Sequence, residues 1–200
     1  MSTVPGDSLP FLRIRSNHKE IPTELAKQLA GILIEWGSFE NGVFWDIEQL
    51  RHQWALVQAL APFVPRGFNR RIELWRRSFH ALCPEIPEYL RKADDIAAKS
   101  AFVAKLRNRM IHSHWMPKAG GNPDEFVLTP EKFPAHQGPP FIVDTNYATL
   151  LHQDILTINN AFNSFIVNRM LHFHDGLTKL SPSQELGSPA HQTPPNPEKP

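Results

Sequence analysis

Residues 101–115, AFVAKLRNRMIHSHW, decide the reading of this chain, because here an apolar helical stripe carries an arginine, an asparagine and a histidine together. At about 100° per residue, Phe102, Val103, Leu106, Met110 and Ile111 fall on one broad arc. Arg107, Asn108 and His112 lie within about 140° of one another beside it. One face is suited to packing and the adjoining face is polar. A guanidinium can stabilise charge on a phosphate oxygen, an imidazole can exchange a proton near neutral pH, and a carboxamide can orient either group. Those are the parts of a metal-free site for cleaving a phosphodiester. The same side chains also serve structural ends: an Arg near a helix end pairs with a carboxylate or stays solvated, and a His in the last turn caps carbonyls.

The segments on either side are amphipathic too. Ile21-Pro22-Thr23-Glu24 reads as a helix start, followed by Leu25, Leu29, Ile32, Leu33, Trp36 and Phe39 at spacings of three and four. Gly37, Asn41 and Gly42 weaken the pattern before Val43, Phe44, Ile47, Leu50, Trp54 and Val57 resume it, so one long helix with a weak centre and two helices in line both fit. Pro62, Pro65 and Gly67 break the chain ahead of a helix at 68–79 whose inner face is Ile72, Trp75 and Phe79. After Cys83-Pro84 to Pro87, one long helix is expected from Glu88 to His114, with Tyr89, Leu90, Ile96, Ala97, Phe102, Val103, Leu106 and Met110 inward.

Pro117, Gly120, Gly121 and Pro123 end that helix, and 125–129 and 140–144 are expected to pair as a short hairpin next to the motif. Asp144-Thr145-Asn146 offers caps for a last helix built on Tyr147, Leu150, Leu151, Ile155, Ile158, Phe162, Phe165, Ile166 and Leu171, ending near Phe173. The expected fold is all-α: a four- to five-helix up-and-down bundle with a short extended or β-hairpin insertion between the last two helices. Residues 1–20 read as a flexible arm and 21–175 as the helical domain. Residues 176–200 are a Pro/Ser-rich tail with too few apolar side chains to offset the entropy of ordering, so it is expected to be disordered.

Composition bounds the function. At 41% hydrophobic residues the chain can build one core, and 19 prolines imply that part of it stays outside. A net charge of +1 gives no global attraction to nucleic acid, yet 66–109 holds about 11 Lys and Arg against about 5 Asp and Glu, a local excess permissive for RNA. Cys83 is the only cysteine, which excludes an intramolecular disulfide or a multi-cysteine zinc site and suits a reducing cytoplasm. The first thirty residues have no leader pattern and no run approaches about 18 apolar residues, so neither export nor a membrane is expected. Two His-x-His pairs, His112/His114 and His172/His174, would diverge by about 200° on helices and lack a carboxylate pair, so no metal or other cofactor is expected. A nucleophile elbow, a phosphate-binding loop and a dinucleotide fingerprint are absent. Trp36, Trp45, Trp54 and Trp75, at helical spacings, are expected in the core.

The run Arg107-Asn108-Arg109-Met110-Ile111-His112 resembles the Arg, four to six residues, His signature of the HEPN superfamily (higher eukaryotes and prokaryotes nucleotide-binding domain). The polar residue after the Arg fits, as does the place of the run near the end of an amphipathic helix that comes after two earlier helical segments. The resemblance spans residues 21–175. It implies a metal-independent endoribonuclease, a toxin or defence effector, in which Arg107 stabilises the phosphorane, His112 is general base or acid and Asn108 positions them. Products would carry a 2′,3′-cyclic phosphate. An acid on an early helix often faces the motif in that family, which makes Glu40 the candidate partner of Arg107. His114 stands where one subgroup has a tyrosine and is a second supporting candidate. Arg70, Arg71, Arg76, Arg77 and Arg109 are candidate RNA contacts. The resemblance also implies a homodimer with two Arg and two His around one cleft, an RNA substrate, and an antitoxin or regulatory protein as partner. A second class stays open, a non-catalytic HEPN-like module that binds nucleotide, RNA or protein.

Overall fold

The structure, a computed structural model, describes residues 20–130 and 139–179, with side chains described over 20–129 and 139–171. Apart from Glu20, the expected N-terminal arm lies outside the described residues, as does the expected tail beyond Lys179. The helix α1 (Thr23–Gln53) opens behind Pro22, whose carbonyl accepts from Ala26 N at 2.9 Å, and carries Glu24 in its first turn. It runs unbroken through Gly37 and Gly42. The break falls at Trp54, which turns extended (φ −133°, ψ 110°) before the short α2 (Ala55–Leu60). Arg51 Nη2 donates to Pro62 O at 2.6 Å, tying the end of α1 to the loop beyond α2. Two of the three glycines in α1 serve packing: a Cβ on Gly31 would meet the His152 ring at 2.3 Å, and one on Gly42 would meet Phe162 at 3.1 Å.

α3 (Phe68–Leu82) buries Ile72, Trp75 and Phe79, the inner face expected from its spacing, together with Leu74 and Ser78. α4 (Pro87–Ile111) starts with Pro at its first position and ends three residues before the expected His114. Its last carbonyls are taken up locally: His112 N donates to Asn108 O at 3.0 Å, Ser113 Oγ to Arg109 O, and Trp115 Nε1 to Met110 O at 2.9 Å. The helix therefore stops where side chains satisfy its terminal acceptors, before the prolines and glycines arrive.

Directly after α4 the chain enters a strand, β1 (Ser113–Pro117), whose first two residues the helical period assigns to helix. It pairs antiparallel with β2 (Phe126–Pro130), which in turn pairs with β3 (Phe141–Val143), the expected hairpin partner. Trp115 faces Leu128, and Phe126 faces Val143; all four are buried. The β1–β2 turn uses Gly120 at φ +68°, a conformation open to glycine, and is closed by Lys118 Nζ to Glu125 Oε2 at 2.7 Å. Asp144 Oδ1 accepts from Tyr147 N at 2.7 Å and so caps the last helix, α5 (Thr145–Lys179), which runs past the expected end near Phe173.

The chain divides into two units, Met1–Asn163 and Ser164–Pro200; of the second, 164–179 is the C-terminal stretch of α5. In the first unit the helical bundle closes on an aromatic core. Trp36 meets Phe68 at 4.7 Å, Phe39 meets Phe162 edge to face at 5.3 Å, and Trp75 lies 4.9 Å from Phe79. Trp36 and Trp75 are buried as expected. Trp45 is not: it is 64% exposed on the outer side of α1, and Phe102, expected inward on α4, is 61% exposed. Among the described residues no helix is long and apolar enough to cross a membrane.

Candidate functional site

The buried residues of α4 include Val103, Ala104 and Met110. At about 100° per residue Arg107 sits within about 60° of each of them, so the helix turns its guanidinium toward the bundle. Asn108 and His112 fall about 100° and 140° further round, toward solvent. The guanidinium is half-buried, Nη1 donates to Asn108 Oδ1 at 2.9 Å, and Nε is buried with no hydrogen-bond partner among the described residues. Burial pushes the Arg107 pKa below the ordinary arginine value, and the Glu40 carboxylate acts against that shift.

Glu40 lies at the edge of the buried face of α1. It is within electrostatic reach of Arg107, yet its ion pair is with Arg71, Nη2 to Oε1 at 3.8 Å. Arg71 occupies an inward position on α3, about 40° from Trp75 and 20° from Ser78, both buried. α1, α3 and α4 thus each contribute one charged side chain to a half-buried cluster of Glu40, Arg71 and Arg107. All three are candidates by sequence, Arg71 as an RNA contact. Its inward place is legible as the first member of the spacing 71, 75, 79.

His112 is the C-cap of α4 (φ −99°, ψ 23°) and exposed. His114 is exposed on β1, with Thr129 as its cross-strand partner. The two rings of this pair were expected on one helix; a cap and then a strand replace that arrangement. Among the described residues no three His, Cys, Asp or Glu side chains cluster as metal ligands would.

The other arginines separate into distinct settings. Arg109 donates from Nη2 to Pro139 O at 2.8 Å and stacks over the Phe141 ring at 4.4 Å, which ties α4 to the approach of β3. Arg76 bonds Glu73 through two nitrogens at 2.9 Å each and reaches Asp94 Oδ1 of α4 at 3.0 Å. The same oxygen lies 2.8 Å from His80 Nε2. His80 bonding foremost, then Arg76, holds the Asp94 carboxyl below its usual range, and Arg76 does the same for Glu73. This network is not among the sequence expectations; its signal in the chain is Arg76 and His80 one turn apart. Arg70 and Arg77 are exposed, two turns apart on α3.

No family model, curated protein or solved structure matches the chain.

Proposed function

We propose that the chain is a metal-independent endoribonuclease of HEPN type, acting as a toxin or defence effector. The observation that carries this reading is the end of α4: a desolvated guanidinium at Arg107, bonded to Asn108, one and a half turns before an exposed imidazole at His112. A cation held out of water interacts more strongly with a phosphate than a solvated one does, and a solvent-facing His can exchange a proton on each turnover. In the proposed reaction His112 takes the proton of the ribose 2′-hydroxyl, the 2′-oxygen attacks phosphorus, and the 5′-oxygen leaves with a proton supplied by a second acid. Arg107 stabilises the phosphorane and Asn108 holds its guanidinium in line.

Arg107 turns toward the bundle and His112 caps the end of α4 in solvent, so one chain offers a single exposed imidazole for a reaction that uses both a base and an acid. A homodimer about a two-fold axis would bring the His112 of one protomer to the Arg107 of the other and supply the second acid. A toxin of this kind would be held inactive by an antitoxin-like or regulatory protein.

The test is incubation of purified protein with mixed single-stranded RNAs in the presence of EDTA, with end-group analysis of the products. Fragments ending in 2′,3′-cyclic phosphate are expected. Intact RNA across substrates and concentrations would remove the nuclease and leave a non-catalytic binding module.

A further inference from the structure

Arg71 and Arg107 both stand on the inward stripes of their helices, and among the described residues the one carboxylate set against them is Glu40. The three side chains carry a net +1 in a half-buried setting. The Nε–H groups of Arg71 and Arg107 are buried and make no hydrogen bond among the described residues. Glu40 is a loose partner, at 3.8 Å from Arg71 where a tight charged hydrogen bond would be nearer 2.8 Å. Arg70 and Arg77, on the same helix as Arg71, turn outward instead, where their charge is solvated. Two guanidiniums turned inward with one weak counter-ion leave donor capacity and positive charge unmatched.

We infer that Glu40 is a displaceable internal stand-in for a phosphate, and that Arg71 is a second phosphate ligand facing Arg107 across the place where that phosphate binds. The inference rests on the nuclease reading for its ligand, a backbone phosphate of single-stranded RNA. It differs from that reading in the role of Glu40, which competes with substrate and does not support the catalytic arginine. A phosphate oxygen entering between the two arginines takes over the donors that Glu40 uses loosely, and the carboxylate at the rim swings toward solvent, where it is already 28% exposed.

The experiment measures binding of a short 2′-deoxyoligothymidylate, which cannot be cleaved through a 2′-hydroxyl, and of ADP, each at 50 to 200 mM salt (about the range over which such binding weakens steeply). Wild type, Arg71→Gln, Arg71→Lys and Glu40→Gln are compared, with helix content checked for each. Arg71→Gln should weaken the oligonucleotide about tenfold and lower the salt slope by about 0.7, the share of one single-strand phosphate contact. Glu40→Gln should tighten binding. Preference for oligonucleotide over ADP assigns the site to a backbone phosphate; the reverse assigns it to a terminal phosphate with the same two ligands. A Glu40→Gln protein that binds more weakly, or an unchanged salt slope in Arg71→Gln, overturns the inference. Should Arg71→Gln fail to fold, Arg71→Lys and the sign of the Glu40→Gln effect decide it. Wild type that binds without ever cleaving removes the nuclease alone. Wild type that cleaves, with Glu40→Gln binding less well, removes this inference alone.

Discussion

Arg107 differs from a surface arginine in where the helix turns it. Its neighbours in the buried arc of α4 are Val103, Ala104 and Met110, so its charge is maintained against desolvation with Glu40 as its only nearby counter-charge among the described residues. Stability and activity should therefore respond in opposite directions. Arg107→Met, similar in length and uncharged, is expected to leave stability unchanged or raise it by about 1 kcal/mol in urea unfolding, because relieving a desolvated charge offsets the lost contact. Activity should vanish, and Arg107→Lys should restore little, since an ammonium lacks the planar fork that spans two oxygens. A loss of several kcal/mol in Arg107→Met would make the arginine structural. At this scale the sequence was informative about chemistry and poor about exposure. Arg107, Asn108 and His112 could be picked out by type and spacing. That Trp45 and Phe102 face outward could not, because apolar side chains are common on surfaces and periodicity only marks a stripe too wide by one residue.

Elements formed where local pattern and tertiary contact agree. The first helix holds three internal glycines, and two of them, Gly31 and Gly42, lie under His152 and Phe162 of α5. Gly31→Ala sets two effects against each other: about 1 kcal/mol of helix propensity gained, and displacement of the His152 ring with loss of its 3.0 Å bond to Gln28. Alone it should be neutral or destabilising. In a His152→Ala background it should stabilise by about 1 kcal/mol, and a mutant cycle with no coupling would contradict the close approach. Between α3 and α4 the Asp94 carboxyl is depressed by His80 and Arg76, so its contribution is present above the unfolded value of about 3.9 and is lost as pH falls through the folded one. Asp94→Asn should lower stability at pH 7 by less than about 1 kcal/mol, given how exposed the group is. The gap between wild type and variant in a series of melts should narrow as pH falls below about 3.9; a gap of constant size across the acid series would exclude this origin. β1 was the element the sequence concealed. His-Ser-His-Trp continues the helical period, and only pairing with 126–130, a non-local partner, makes it a strand.

At the scale of the whole molecule, the proposed chemistry uses one acid and one base, and each chain offers one His112. If a two-fold copy supplies the second acid, light scattering at high protein concentration should give a dimer mass; a strictly monomeric mass would break the composite site. Helix order, the aromatic core and the hairpin were legible because they derive from stripes and breakers along the chain. The pairing of Arg71 with Glu40 was not, since it depends on α1 and α3 meeting, and spacing along the sequence does not report which helices meet; the place of Glu40 near Arg107 came from the resemblance alone.

The measurement that bears most directly on the central claim is the rate of RNA cleavage by wild type, His112→Ala and His114→Ala under identical conditions, with products resolved by end group. His112→Ala should lose about two decades or more while keeping its fold, as expected for removal of a general acid-base group, and His114→Ala should stay close to wild type. Cleavage by wild type that His112→Ala retains in full, with cyclic phosphate ends, would contradict the assignment of the proton transfer to the end of α4.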